Sequence, residues 1–240
     1  CLQRVGDSAG VWDIAGTDYS AQIAAALLAS QKADGSWNDS AIDTAFAIMA
    51  LLKARAPVVI AQLDLGRDGD RYPREAENVV RHLSRRMGRA LAWRQVRFDQ
   101  PEKLGQIRLA YLHAPSADDI TGPAAKVIVR YVRRGGTLLV QSGQDMGIKS
   151  LADDLGKLFS DYAAAPLPPD HPIWSLKYPI DEPSRPAITG IGDRCRTRIF
   201  VIEGNVGGAW RQGRAREYPH LFDLAGNVLL YSVAGQIPSG

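Results

Sequence analysis

The hydrophobic pattern changes character once along the chain. Residues 18–30, "DYSAQIAAALLAS", place Ile23, Leu27 and Leu28 on one stripe with Tyr19 a turn earlier, a helical spacing that Asp18 or Ser20 can cap. The turn dipeptide Asp34-Gly35 breaks this helix, and Asp39 or Ser40 starts a second, "AIDTAFAIMALLKA". Its apolar positions cover most of the circumference, which predicts burial on more than one side. From Ala56 onward, apolar runs alternate with amphipathic segments. "PVVIAQLDL", "AWRQVRF", "IRLAYLHA", "GTLLVQS" and "TRIFVIEG" read as strands, whereas "REAENVVRHLSRRMGRAL", "DDITGPAAKVIVRYVRRG" and "IKSLADDLGKLF" read as helices. Strand alternating with helix predicts βαβ units and a mostly parallel sheet covered on both faces. Residues 163–192, rich in Pro, read as one long irregular insertion of the kind that carries function or covers a domain. The last segment, "YPHLFDLAGNVLLYSVAG", reads as strand or helix, with a helix from Pro219 to about Ala234 favoured.

Composition adds bounds rather than a function. The chain has 240 residues, 45% hydrophobic and 23% charged, ordinary values for a globular protein with a core. No run approaches the roughly 18 apolar residues that cross a bilayer. Net charge is +3 and the cations are mostly Arg, concentrated between Arg67 and Arg97. Arg81, Arg85 and Arg89 are spaced to stack on one helix face, either as a solvated surface or as a surface for an anionic ligand or partner. Few aromatics are interleaved with these cations, which argues against nucleic acid. Cys1 at the start of the chain is compatible with a lipidated terminus or with a truncated one. It and Cys195 make no disulfide framework.

In a parallel sheet ligands sit beyond the carboxyl ends of the strands. That rule marks Asp64 to Arg71, including Arg67, after the first strand, His113 after the third and Ser142 to Asp145 after the fourth. It also marks Glu203 to Asn205 after the fifth. "LGRDGDRYP" could cradle a small anion at a helix start, but it lacks the dinucleotide and Walker spacings, and no cofactor is expected. "VQSGQD" lacks both glycines of a nucleophile elbow, so Ser142 reads as a turn residue. Cys195 lies between Arg194 and Arg196 but precedes a strand, where a nucleophile is not expected. The histidines, His82, His113, His171 and His220, form no metal motif. In "LPPDHPIW", Asp170 can orient His171 for acid–base work, with Arg196 as a third member, or the pair can fasten the loop.

Two resemblances follow. "ALLASQKADGSW" resembles the Gln-Trp repeat of terpenoid-cyclase and prenyltransferase-like α/α toroids, with Gln31, Gly35 and Trp37 in matching places and the catalytic acidic motif absent. From Ala56 the chain resembles the bacterial domain-of-unknown-function family numbered 4159. The segments that carry this are "APVVIAQLDLGRDGDRYPREAENVVRHLSRRM", "WRQV", "VRRGGTLLV", "LFSDYAAAPLPPDHPIWSLKYP", "ITGIGDRCRTRIFVI" and "NVLLYSVAG". This resemblance implies a class I glutamine-amidotransferase-like fold, a flavodoxin-type sheet, and favours a periplasmic or secreted location. The amidotransferase nucleophile does not carry over, because "QSGQD" stands where its Cys would be. The expectation is therefore a toroid-repeat remnant over residues 1–55 and a three-layer α/β domain over residues 56–240. Together they would form a non-catalytic binding or assembly module of a bacterial envelope or secreted protein. Its partner, a protein or a second copy, would dock on the N-terminal helices. The competing expectation is a hydrolase or transferase with Asp170, His171 and Arg196 in a cleft at the strand ends.

Overall fold

A computed structural model describes residues 13–14, 17–54, 56–66, 74–105, 107–113, 117–142, 148–193 and 195–234. Cys1, Arg67 and Arg71 lie outside the described residues. A short antiparallel bridge (Asp13–Ile14 with Thr17–Asp18) precedes helices α1 (Tyr19–Ala29) and α2 (Ala41–Ala54). Ser40 caps α2 by accepting from the Asp43 amide at 3.2 Å. Trp37 packs the turn between them. It is buried, donates its indole N–H to Leu27 O at 2.8 Å and its amide N–H to Thr44 Oγ1 at 3.0 Å. The expectation that α2 is buried on several sides is not met. Ala47 is its buried hydrophobic residue, while Ile42, Phe46, Ile48, Met49 and Leu52 are exposed. An all-round apolar composition forms a helix readily, but α1 is too slender to cover more than one side of it.

The strands are β1 (Val58–Asp64), β2 (Ala92–Arg97), β3 (Leu109–His113), β4 (Thr137–Gln141), β5 (Ala163–Pro166), β6 (Ile188–Gly192) and β7 (Thr197–Ile202). The order across the sheet is β2-β1-β3-β4-β7-β6-β5. The first five of these are parallel, and β6 and β5 close the far edge antiparallel. Strand order reverses between β1 and β3, the doubly wound arrangement that opens a crevice at their carboxyl ends.

Side chains alternate between two cores. Ile60, Leu109, Tyr111, Leu139, Phe200 and Ile202 pack under α3 (Arg74–Met87), α6 (Val206–Arg211) and α7 (Pro219–Ala234). Ala61, Leu63, Ala110, Leu112, Leu138, Val140, Ile199 and Val201 pack under α4 (Gly122–Arg133) and α5 (Ile148–Lys157). Burying each large side chain on either face contributes about 1.5–3 kcal/mol. The result is a three-layer α/β sandwich.

Two expectations change. Residues 163–192 are not one irregular insertion, because their ends are the paired strands β5 and β6. Ala-Ala-Ala-Pro carries no apolar alternation, being wholly exposed at the sheet edge, where the missing Pro N–H does no harm. The arginine stack also falls short, since α3 stops at Met87 against Gly88 (φ 63°) and leaves Arg89 beyond the helix. Of the helical pair, Arg81 bonds Glu77.

Candidate functional site

Polar residues interrupt the apolar strands at one end and on one face. Gln62 in β1, Tyr111 and His113 in β3, and Gln141 in β4 all project toward α3, α6 and α7. Register sets Gln62 beside Tyr111 and His113 beside Gln141. α3 adds Glu75 in its first turn and α6 adds Arg211 in its last. Glu75 is fully buried, the least accessible acid of the described residues.

Four donors saturate that carboxylate. Tyr111 Oη donates to Oε2 at 2.9 Å, and His113 Nδ1 lies 3.2 Å from the same oxygen. Arg211 reaches Oε1 with Nη2 at 3.0 Å and Nε at 3.3 Å. The same Nη2 lies 3.4 Å from His113 Nε2. A guanidinium only donates, so Nε2 accepts and Nδ1 carries the proton toward Glu75. The N-terminal turn of α3 adds its own field to a negative charge there. Burial and the Glu75 charge push the Tyr111 phenol well above its ordinary value, which keeps it a donor. Trp210 packs edge-on against Tyr111, with centroids 5.3 Å apart.

Gln141 ties in α6 by accepting from the Gly207 amide. A β-carbon at Gly207 would stand 2.4 Å from Gln141 Oε1, 2.8 Å from Glu75 Oε1 and 2.9 Å from Tyr111 Oη. Only glycine lets α6 come this close. Gln62 Oε1 accepts from the Ala76 amide at 3.3 Å, filling one open position at the start of α3.

Three sequence candidates share this end of the sheet. Asp64 is buried, accepting from the Gly66 amide at 2.8 Å and from Gln95 Nε2 at 3.0 Å. His113 belongs to the network itself. Ser142 is buried and donates its hydroxyl to Ile202 O at 3.1 Å, a turn fastening between β4 and β7.

Asp170, His171 and Arg196 do not line a cleft at the carboxyl ends. His171 Nε2 lies 3.2 Å from Thr197 Oγ1 at the amino end of β7, and Arg196 directly precedes that strand. His171 Nδ1 accepts from the Ile173 amide at 3.3 Å, so the ring caps a short turn and donates through Nε2. Asp170 is exposed and forms no hydrogen bond with the ring, so it does not orient it. Arg196 stacks over Tyr231, 4.9 Å from its centroid, and donates to the Tyr231 carbonyl. Among the described residues no three His, Cys, Asp or Glu side chains group as a metal site requires. Among the same residues no helix is long and apolar enough to cross a membrane.

Burial pushes the imidazoles of His171 and His82 below their ordinary value, against the opposing pull of Asp170 and Asp223. The unfolded chain therefore takes up protons before the folded one. Stability from these two groups is complete above about pH 6.5 and declines as pH falls below it. Melting temperature should drop by a few degrees (about 2–4 °C) as pH falls below about 6.5. Replacing both histidines by Gln should flatten that dependence.

The fold and this buried network define a doubly wound α/β domain with a buried polar network at the carboxyl ends of its parallel strands. The family model described as Domain of unknown function (DUF4159) matches residues 59–232, and the chain belongs to that family. α1 and α2 lie ahead of the matched region. No curated protein matches the chain.

Sequence reasoning missed Glu75, Tyr111, Gln141 and Arg211. The available signal was period two: "AQLD", "AYLH" and "LVQ" each place polar side chains on one face near the strand's carboxyl end. Arg211 left no such signal, because the Gly-Gly start of α6 hides a helix that only tertiary contact stabilises.

Proposed function

We propose that this chain is a non-catalytic binding module that takes a small anionic ligand in the crevice at the carboxyl ends of β1, β3 and β4. The observation that carries this is the saturated Glu75 network, which fixes an arginine and an imidazole of defined tautomer where strand order reverses. The sequence between β1 and α3 contains Arg67 and Arg71. Both Glu75 oxygens are engaged by internal donors, a pattern that suits a rigid floor better than a proton shuttle. Docking through the N-terminal helices belongs to the same reading. It is supported by the exposed Ile42, Phe46 and Met49 stripe on α2.

The test is an NMR titration of the full chain with inorganic phosphate and with succinate. Saturable shifts are expected at the Gly207 amide and the Trp210 indole, weakened about tenfold or more in His113→Ala. Ammonia release from glutamine should stay at the buffer background. Shifts confined to other regions, or none that saturate, would retire the reading.

A further inference from the structure

A second polar feature lies at the opposite, amino-terminal end of the sheet. Arg108 leads into β3, while Arg130 and Arg134 stand one turn apart at the carboxyl end of α4. All three line one groove of about 40 Å³, whose floor is Leu104, Ile107, Val127 and Tyr131. Among the described residues none of these three guanidiniums is paired with a carboxylate. Their neighbour Arg133, by contrast, is bidentate to Asp161.

Helix polarity accounts for part of this, because cations are favoured at a helix carboxyl end. It does not account for Arg108, which arrives from a different element, nor for the apolar floor. Like charges four apart on a helix repel by a few tenths of a kcal/mol, about 0.2–0.5. The excess continues on β7: Arg198 reaches Gly135 O at 3.5 Å, in the turn after α4. Burial, and then the charge of Arg198, hold the Arg196 guanidinium below its ordinary value. Positive charge is thus gathered from three separate segments onto one end of the sheet.

From this we infer a second binding site: the groove holds a phosphate monoester whose organic part is apolar. A dianionic headgroup matches several convergent guanidinium forks, which bind phosphate oxygens in pairs. The volume accommodates one such group, and Leu104, Ile107 and Val127 take the adjoining carbon atoms. The same chemistry can arrive as a free phosphate ester or as the headgroup of phosphatidic acid.

Calorimetry on the full chain with phenyl phosphate and with inorganic phosphate tests the site. Phenyl phosphate should bind saturably and more tightly than inorganic phosphate. Its affinity should fall about tenfold or more in Arg108→Gln and in Arg134→Gln, with far-UV circular dichroism unchanged. Arg85→Ala removes one exposed charge from α3 and should leave binding intact. Co-sedimentation with phosphatidylcholine vesicles, with or without phosphatidic acid, separates the two sources. Pelleting that needs phosphatidic acid and is lost in the same variants assigns the headgroup, and its absence beside phenyl phosphate binding assigns a soluble ester. Three results would overturn the inference: no saturable heat with phenyl phosphate, binding that survives both substitutions, or an equal loss in Arg85→Ala. Vesicle binding without phenyl phosphate binding counts against it too, since the groove would then be unused.

Discussion

Glu75→Ala should lose about 3 kcal/mol of stability, near the lower end of the range for breaking a buried ion pair. The carboxylate has no exposure and takes four contacts, from Tyr111, His113 and both ends of the Arg211 fork. Removing it takes the carboxylate from the phenol and the imidazole N–H, leaves the phenol only the longer contact to Gln141 Oε1 at 3.3 Å, and opens a space beside Tyr111. The lower figure is chosen because the Arg211 side chain keeps 36% exposure, so water can take over part of its solvation. Urea unfolding gives the number directly. Arg211→Met should cost less than Glu75→Ala, since Tyr111 and His113 would still hold the carboxylate. Glu75→Leu with Arg211→Met should lose less than the sum of the single changes, because the double variant leaves neither charge alone. A Glu75→Ala loss under about 1 kcal/mol would mean the network is decoration, and the rigid floor proposed for the crevice would go with it.

The same residues explain which parts of the molecule were legible in sequence. β1, β3, β4 and β7 are near-continuous apolar runs because both faces of each are covered, and such runs announce themselves. α3 and α4 were equally plain in their polar–apolar division, but the stop of α3 at Gly88 was read through, whereas that of α4 at Gly135 was not. α7 was ambiguous, since Phe222, Leu224, Ala225, Val228 and Leu229 bury most of its circumference and erase the period. β5 and α6 could not be read, because Ala-Ala-Ala-Pro and Val-Gly-Gly-Ala have no pattern of their own and are specified by what they touch. The site followed the same division. The topological rule pointed to Asp64, His113 and Ser142 without any knowledge of contacts. Glu75 and Arg211 come from helices 136 residues apart, and nothing local to either predicts the pairing. His171 drew attention by its chemistry, yet its ring nitrogens are occupied by a backbone amide and a threonine hydroxyl.

Asn227→Leu should be as damaging as any single change in the core, with a loss of about 3–5 kcal/mol. The side chain is fully buried in α7 and makes four hydrogen bonds, all to the backbone of the chain joining β5 to β6. Its Oδ1 accepts from the amides of Lys177 at 3.1 Å and Tyr178 at 3.0 Å. Its Nδ2 donates to the carbonyls of Ile173 at 2.9 Å and Tyr178 at 2.7 Å. Leucine keeps the volume but strands all four backbone groups where water cannot easily reach. That connection is long and Pro-rich, yet Ile173, Trp174 and Ile180 sit in the core, and Asn227 is what permits an irregular backbone there. The packing beside it is equally tight, since a β-carbon at Gly226 would meet Leu83 at 2.8 Å and Tyr178 at 2.9 Å. Trypsin offers a readout specific to the fastening. Cleavage after the exposed Lys177 should accelerate in Asn227→Leu well before the rest of the chain is attacked. Asn227→Asp, which turns a donor into a second acceptor facing two carbonyls, should behave the same way at neutral pH. If Asn227→Leu matches the parent in both unfolding and cleavage at Lys177, these four bonds do not hold the connection down.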